Sequence, residues 1–276
     1  MKNFIAVIMT VHNRCKQTID CLNHLYMNNE IFDVYLTDDG CTDNTVDMIS
    51  LHFPKVKIIK GDGNLYWNRG MYKAFEAASL NGYDYYLWLN DDTIVKTNFI
   101  KDLLECSHSE FNRSIICGAT VSSDNYDEIT YSGYTKNKQL SLSDSKQYCD
   151  FASGNILLVP KWVFEKVGLL DYRFRHALGD FDYEGRARKL GVKIVQAPYF
   201  LGFCNRHATI PRWRDLNIPV NKRIKALYGP LGRNPIEFFV FDNRHNGLII
   251  ACFHFLTLHI RCLFPKLWGN RYNEKE

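Results

Sequence analysis

Tyr85-Tyr86-Leu87-Trp88-Leu89-Asn90-Asp91-Asp92-Thr93 is an aromatic, apolar run that stops in an acidic turn. Five large apolar residues bounded by Asn and Asp read as a strand followed by a turn at its carboxyl end.

The same pattern recurs outward from this stretch. Phe4–Met9, Val34–Leu36 and Val56–Ile59 are strand-like. Between them, Thr18–Asn28 carries Ile19, Leu22 and Leu25 at helical spacing, and Thr42–His52 carries Val46 and Ile49 on one face. Gly70–Asn81 is an Ala-rich helix that leads into the aromatic strand. Strands separated by single helices imply right-handed crossovers and a mostly parallel α/β sheet flanked by helices. Such sheets take ligands beyond the carboxyl ends of their strands. Polar clusters stand at four such ends: Thr10–Arg14, Asp38–Thr45, Gly61–Arg69 and Asn90–Thr93. Further on, Ile115–Val121 and Phe151–Val159 read as strands, Ser122–Gln147 as a turn-rich stretch, and Lys161–Val167 and Phe181–Leu190 as helices.

The chain of 276 residues, 46% hydrophobic and 23% charged, suits one large α/β domain over residues 1–210 with an extension over 211–276. Its nine scattered cysteines form no CxxC pair, so free thiols in a reducing cytosol are expected. The run Phe4–Met9 is too short for a signal peptide and reads as a buried first strand. The net charge of +4 is unevenly spread: from Arg206 onward 12 Lys and Arg face 5 Asp and Glu. A basic tail on a mildly acidic body points to an anionic partner, nucleic acid or a membrane surface on charge alone. Gly247–Phe264 is apolar but interrupted by His254, His259 and Arg261, which suits an interfacial amphipathic helix better than a spanning one. An anionic membrane surface is therefore the expected partner, and nucleic acid is not expected.

Two adjacent carboxylates at Asp91 and Asp92 repel each other, so a cation or a donor-rich turn must offset them. Hard oxygen ligands suit Mg²⁺ or Mn²⁺, which completes its shell with phosphate oxygens and water. Capping of a helix beginning near Thr97 by Asp92 or Thr93 is the competing account. In Asp38-Asp39-Gly40-Cys41-Thr42-Asp43, Thr42 or Asp43 suits an N-cap, which leaves a carboxylate to accept from a pyrimidine N–H or a ribose hydroxyl. The loop Gly61–Gly70 is neither GxGxxG nor a P-loop; its Gly and Asn64 suit a backbone close to a ligand, and Arg69 suits phosphate. Asp180 opens a helical segment whose dipole favours its ionised form, as a general base requires, and Asp182 competes with it for the cap. His207 is a third metal-ligand candidate, although a lone His is more often structural.

Taken in order, Thr10-Val11-His12-Asn13-Arg14, Asp38-Asp39-Gly40-Cys41-Thr42-Asp43, Asn90-Asp91-Asp92 and Gly179-Asp180 resemble the motifs of family 2 glycosyltransferases of the GT-A fold over residues 4–207. The resemblance implies a nucleotide pocket lined by Thr10, Val11, His12, Asn13 and Arg14, with Asn64, Trp67 and Arg69 nearby and Asp39 on the base. It implies Asp91 beside ribose and diphosphate, Asp92 on the metal with His207 as a further ligand, and Asp180 as the base on an acceptor hydroxyl. Gly154, Asn155, Asp182 and Trp67 would lie near the acceptor or donor sugar. Gly63-Asn64-Leu65-Tyr66-Trp67 is similar to a rhamnosyltransferase-like variant. Two departures stand out: Asn90 where many members carry Asp, and Gly179 where many carry Glu.

The implied activity is inverting transfer from a UDP- or dTDP-sugar to a saccharide or lipid-linked acceptor, with Mg²⁺ or Mn²⁺. The implied setting is a bacterial surface polysaccharide pathway, cytoplasmic or peripheral on the inner face of the membrane. A sugar-nucleotide pyrophosphorylase would open with a Gly-rich, Arg-containing loop after the first strand, where this chain has Val11-His12-Asn13-Arg14. A processive synthase would carry spanning helices and QxxRW, but Thr209 stands where the Gln before Arg212-Trp213 would be. A non-catalytic or degenerate binding module is the remaining alternative, and the presence of both Asp92 and Asp180 speaks against it.

Overall fold

The computed structural model describes residues 4–136, 138–206 and 210–268. Two compact units make up the chain, one from Met1–Tyr172 and Gly179–Arg206, the other from Arg173–Leu178 and His207–Glu276.

In the first unit, β1 (Ile5–Val11), α1 (Cys15–Leu25), β2 (Phe32–Asp38), α2 (Thr45–His52), β3 (Lys57–Lys60), α3 (Tyr66–Ser79) and β4 (Tyr85–Leu89) alternate along the chain. The four strands pair in parallel in the order β3-β2-β1-β4. A short β5 (Ile94–Val95), α4 (Phe99–Ser109) and β6 (Ser114–Val121) follow. The turn-rich stretch then folds into β7 (Ile129–Tyr131), β8 (Gly133–Thr135), β9 (Lys138–Gln139) and β10 (Gln147–Cys149).

Phe151–Val159, expected as one strand, is two: β11 (Phe151–Ala152) joins β8 and β9 in a small sheet, and β12 (Ile156–Pro160) enters the main sheet. The break at Ser153-Gly154-Asn155 arises because these residues bond elsewhere, Ser153 N to the Ser132 carbonyl and the Asn155 carbonyl to Asn90 N. Strand β12 runs antiparallel between β4 and β6. After α5 (Lys161–Val167) and α6 (Gly179–Lys189), β13 (Lys193–Phe203) lies parallel to β6. The sheet is thus mostly parallel, as expected.

Alternate side chains of each strand face opposite layers. Ile5, Val7, Met9, Leu87 and Leu89 pack with Leu22 and Leu25 of α1, Ile49 of α2, and Phe99 and Leu103 of α4. Ala6, Ile8, Tyr86 and Trp88 pack with Met71 and Phe75 of α3, Val163 of α5 and Tyr183 of α6. Burial of each large side chain contributes about 1.5–3 kcal/mol, and helices cover both faces of the strands. The carboxyl ends of β1, β2, β3 and β4 therefore share one sheet edge.

The second unit holds α7 (Val220–Tyr228), α8 (Pro235–His245) and α9 (Leu248–Leu263). Asn234 caps α8 by accepting from Ile236 N and Glu237 N, with Pro235 at the first helical position. Arg175 ties its short segment to α8 through Glu237 (Nε to Oε1, 2.7 Å) and to the Tyr228 carbonyl. Its buried core is small: Trp213, Leu227, Leu258 and Cys262. Among the described residues no helix is long and apolar enough to cross a membrane. The first unit ends at Arg206, and composition gave no sign that Arg173–Leu178 would join the second.

Candidate active site

Asp39 follows β2 directly. It is buried, and its carboxylate accepts three main-chain amides: Oδ1 from Gly63 N (2.9 Å) and Leu65 N (3.1 Å), and Oδ2 from Tyr66 N (2.8 Å). These bonds satisfy the orphan donors at the start of α3, which explains why that helix begins at Tyr66 and not at the expected Gly70. Tyr66 itself has a φ of +59°, a strained value for an aromatic residue that the same bonds hold in place. Around this carboxylate, His12 Nδ1 lies 2.7 Å from the Asp39 carbonyl oxygen, and Asn13 Oδ1 accepts from Thr42 N at 2.7 Å. The N-cap of α2 is Asn44, whose side chain makes no cap bond, and not Thr42 or Asp43. Asp43, one residue earlier, accepts from Thr45 N through Oδ1 at 3.1 Å and from Cys15 N at the start of α1 through Oδ2 at 3.3 Å.

Asn90-Asp91-Asp92 follows β4. The Asn90 side chain accepts from Trp67 Nε1 at 2.7 Å and its amide donates to the Asn155 carbonyl at 3.1 Å, so Asn90 fixes the turn. Arg14 reaches across from the end of β1. Its Nη1 stands 3.2 Å from Asp91 Oδ1 and 2.6 Å from Asp92 Oδ2. Burial pushes the Asp91 carboxyl up to about 7; the Arg14 guanidinium pulls it down and the Asp92 charge pushes it up again. Asp91 Oδ2 is buried without a hydrogen-bond partner among the described residues. On the far side of Asp92, Cys204 Sγ lies 3.6 Å from Oδ1 and accepts from Asn155 Nδ2. Burial first, and then the Asp92 charge, push the Cys204 thiol up to about 12, so it stays protonated.

Asp180 lies in the first turn of α6. Its carboxylate accepts from Phe181 N (2.9 Å) and Gly154 N (3.2 Å), the second bond tying it to the segment that also holds Asn90. Burial raises its pKa, and these two amides oppose the rise. Two glycines are required by close approach. A Cβ on Gly154 would lie 2.9 Å from Trp67 Cη2, and one on Gly179 would lie 1.7 Å from Asn68 Oδ1. The second explains the departure at Gly179: Asn68, whose Nδ2 donates to the Asp171 carbonyl, fills the space a larger residue would need. One turn after Asp180, Glu184 is fully buried and accepts from Ala152 N at 2.9 Å. Burial, reinforced by the Asp180 charge, raises its pKa well above the carboxylate range.

The family model for glycosyl transferase family 2 matches residues 6–163, more than half of the 276. The chain belongs to glycosyl transferase family 2. The structure is similar to the crystal structure of S. aureus TarS 1-349, with a TM-score of 0.57 and 13% identity over 100% of this chain and 75% of that one. It is also similar to a crystal structure of S. aureus TarS, with a TM-score of 0.56 and 14% identity over 99% of this chain and 45% of that one. At such identity the likeness carries the fold, which is GT-A. No curated protein matches the chain.

As a family 2 glycosyltransferase, the chain brings Thr10, Val11, His12, Asn13, Arg14, Asp39, Trp67, Asp91, Asp92, Gly154, Asn155 and Asp180 to the carboxyl edge or to the segment bonded to it. Other expected residues are engaged elsewhere. Arg69 Nε donates to the Tyr172 carbonyl at 2.9 Å, and its guanidinium stacks over the Tyr172 ring. Asn64 is exposed on the loop, its amide bonded to Asp62. Asp182 is fully buried and pairs with Arg186 Nε at 2.9 Å, and Arg186 also donates to the Val167 and Leu169 carbonyls. That pair braces α6 internally, so Asp182 is not brought to the edge with Asp180. His207 lies outside the described residues. Sequence reasoning missed Cys204 and Glu184. The second had a legible signal, since residues four apart share a helix face.

Proposed function

We propose that this family 2 glycosyltransferase moves a sugar, a hexose or deoxyhexose, from a UDP- or dTDP-linked donor to a hydroxyl of a saccharide or lipid-linked acceptor, with inversion. The observation that carries it is the continuous bonded path from the acid pair to Asp180: Asn90 N to the Asn155 carbonyl, then Gly154 N to the Asp180 carboxylate. Asp180 takes the acceptor proton as the hydroxyl oxygen attacks the anomeric carbon. A pKa raised by burial brings it nearer the working pH, which favours proton transfer. The leaving diphosphate carries growing negative charge toward Arg14 and the edge amides. Asp38, Asp39 and the Thr10–Asn13 segment form the wall for the nucleotide.

The residues fit a divalent ion. Asp91 and Asp92 offer hard oxygens, one of them a buried oxygen with no partner among the described residues. Mg²⁺ and Mn²⁺ commonly need only one or two protein carboxylates when phosphate supplies the rest. Among the described residues no third His, Cys, Asp or Glu completes an all-protein cage. When bound, such an ion supplies positive charge against the diphosphate. Asp92, with Asp91, would hold it.

The acceptor reading extends to an anionic membrane surface. On α9, Ile249, Phe253, Leu256, Ile260 and Leu263 form one stripe at helical spacing, each at least 40% exposed. With the basic balance from Arg206 onward, such a face suits anionic lipid. Phe253→Asp with Leu256→Asp is expected to abolish cosedimentation with phosphatidylglycerol vesicles; unchanged binding would remove the membrane from the proposal.

For the chemistry, a thermal-shift panel of UDP-, dTDP- and GDP-sugars with and without Mn²⁺ identifies the donor, since saturation about 100-fold above Kd stabilises by about 2.7 kcal/mol. Asp180→Asn is expected to keep that shift and to lose transfer by a factor on the order of 10²–10⁴. Normal turnover by this variant would sink Asp180 as the base.

A further inference from the structure

We propose that Arg14 is a resident counter-ion of the Asp91–Asp92 pair, so that the pair accepts a divalent cation only together with a diphosphate that draws Arg14 away. The inference rests on the reading of Asp91 and Asp92 as metal ligands and adds the rule by which they are loaded.

A single nitrogen, Nη1, touches both carboxylates, at 3.2 Å from Asp91 Oδ1 and 2.6 Å from Asp92 Oδ2. A divalent ion held by the same two carboxylates would need the oxygens that Arg14 now contacts. A second positive charge beside the guanidinium at those carboxylates would be repelled strongly. The seat therefore holds one cation at a time.

The backbone of Arg14 is fixed. Its carbonyl accepts from Thr18 N at 2.9 Å and Thr18 Oγ1 at 2.8 Å, and the preceding Asn13 is bonded to the Thr42–Asp43 turn. Its side chain is not fixed to the same degree. It is 40% exposed, whereas the carboxylates are 10% and 17% exposed. Among the described residues, Nε and Nη2 make no hydrogen bond. The guanidinium thus offers unused donors on its open side, suited to phosphate oxygens. Meanwhile Asp91 Oδ2 remains unpartnered, so Arg14 does not satisfy the pair completely.

Metal alone would have to displace Arg14 with nothing to receive it. A diphosphate receives it. By linkage, each ligand must then tighten the other by the same factor, typically about 5- to 150-fold.

The test measures Mn²⁺ held by the full-length protein, from the loss of the free-ion EPR signal, with the Mn²⁺–UDP complex in solution accounted for. In the wild type, Mn²⁺ alone is expected to bind at least about 10-fold more weakly than Mn²⁺ with UDP. Arg14→Gln is expected to bind Mn²⁺ alone at least about 10-fold tighter than the wild type, and the factor by which UDP tightens Mn²⁺ should be smaller than in the wild type, leaving only what direct phosphate coordination supplies. Arg14→Lys keeps the charge and should resemble the wild type with metal alone. Equal Mn²⁺ affinity in wild type and Arg14→Gln overturns the inference, as does a wild type indifferent to UDP, an arm that needs no variant to fold. If Asp92→Asn holds Mn²⁺ with UDP as well as the wild type does, the metal assignment itself fails, and that outcome is distinct.

Discussion

Two Asp-Asp turns stand on either side of β1, one after β2 and one after β4, and their carboxylates are engaged in opposite ways. Asp39 is held by three main-chain amides of the loop that opens α3. Asp91 and Asp92 share one nitrogen of a part-exposed side chain, and only the Cys204 thiol is added, on the far oxygen of Asp92. Main-chain donors cannot leave without unwinding the first turn of α3, while an exposed side chain reorients in picoseconds to nanoseconds. The first turn is therefore a fixture that shapes the pocket. The second, on the proposed reading, is an exchangeable site whose donor can give way to a ligand. Identical residue pairs at equivalent strand ends thus separate by how their donors are tethered.

Removing each carboxylate is the strongest way to break the comparison. Asp39→Ala leaves the amides of Gly63, Leu65 and Tyr66 without their acceptor and releases the left-handed Tyr66. Each unsatisfied buried donor costs about 1–3 kcal/mol, so a loss of about 4 kcal/mol in urea denaturation is expected. Asp92→Ala removes one partner of a part-exposed pair, and its cost should stay under about 1 kcal/mol while donor-dependent metal binding disappears. Similar losses of stability in the two variants would show that both turns are fixtures.

The second prediction sharpens the comparison through pH. Folded Asp91 keeps its proton up to about 7, whereas the unfolded carboxyl releases it near 3.8. Between those values the folded state binds more protons, so the stability associated with Asp91 is full below about pH 4 and is lost as pH rises through 7. In metal-free buffer the wild type should lose on the order of 2 kcal/mol from this group between about pH 5 and pH 7. Asp91→Asn should be flat over that window, and it keeps an acceptor for Arg14. Parallel pH profiles for the two proteins would mean that Asp91 is not a strained anion.

Much of this was legible in the residues. Alternating apolar runs and amphipathic segments reported the parallel sheet, and polar clusters after β1, β2, β3 and β4 marked the one edge that those strand ends share. Asn90 as an orienting residue was also readable from its place beside two carboxylates. Long-range partners were not readable. Nothing in Asp38-Asp39-Gly40 reveals that Asp39 faces amides 24 to 27 residues later. Arg69 looked like a phosphate ligand because a loop of Gly and Asn surrounds it, but the early start of α3 turned it toward Tyr172. Asp182 looked equivalent to Asp180, and only Arg186 on the next turn distinguishes them. The Ser153–Asn155 break was hidden because apolar residues flank it on both sides, and its cause lies in Ser132 and Asn90.

Asp43 carries the smallest effect and tests whether burial, rather than membership of an acidic turn, sets the scale. It belongs to the same turn as Asp39 and also bonds main-chain amides, those of Thr45 and Cys15, but it is exposed. Water can replace an exposed acceptor at the start of α2, whereas nothing replaces Asp39 behind its loop. Asp43→Ala should therefore cost about 1 kcal/mol, the usual size of an exposed hydrogen-bonding acceptor's contribution. Asp43→Asn keeps an oxygen acceptor at the same place and should cost only a few tenths. Chemical denaturation of the three proteins in one buffer gives both differences. A loss at Asp43→Ala matching that of Asp39→Ala would show that the whole β2 turn folds as one unit, and the contrast with the β4 turn would then lie in the turns and not in single carboxylates.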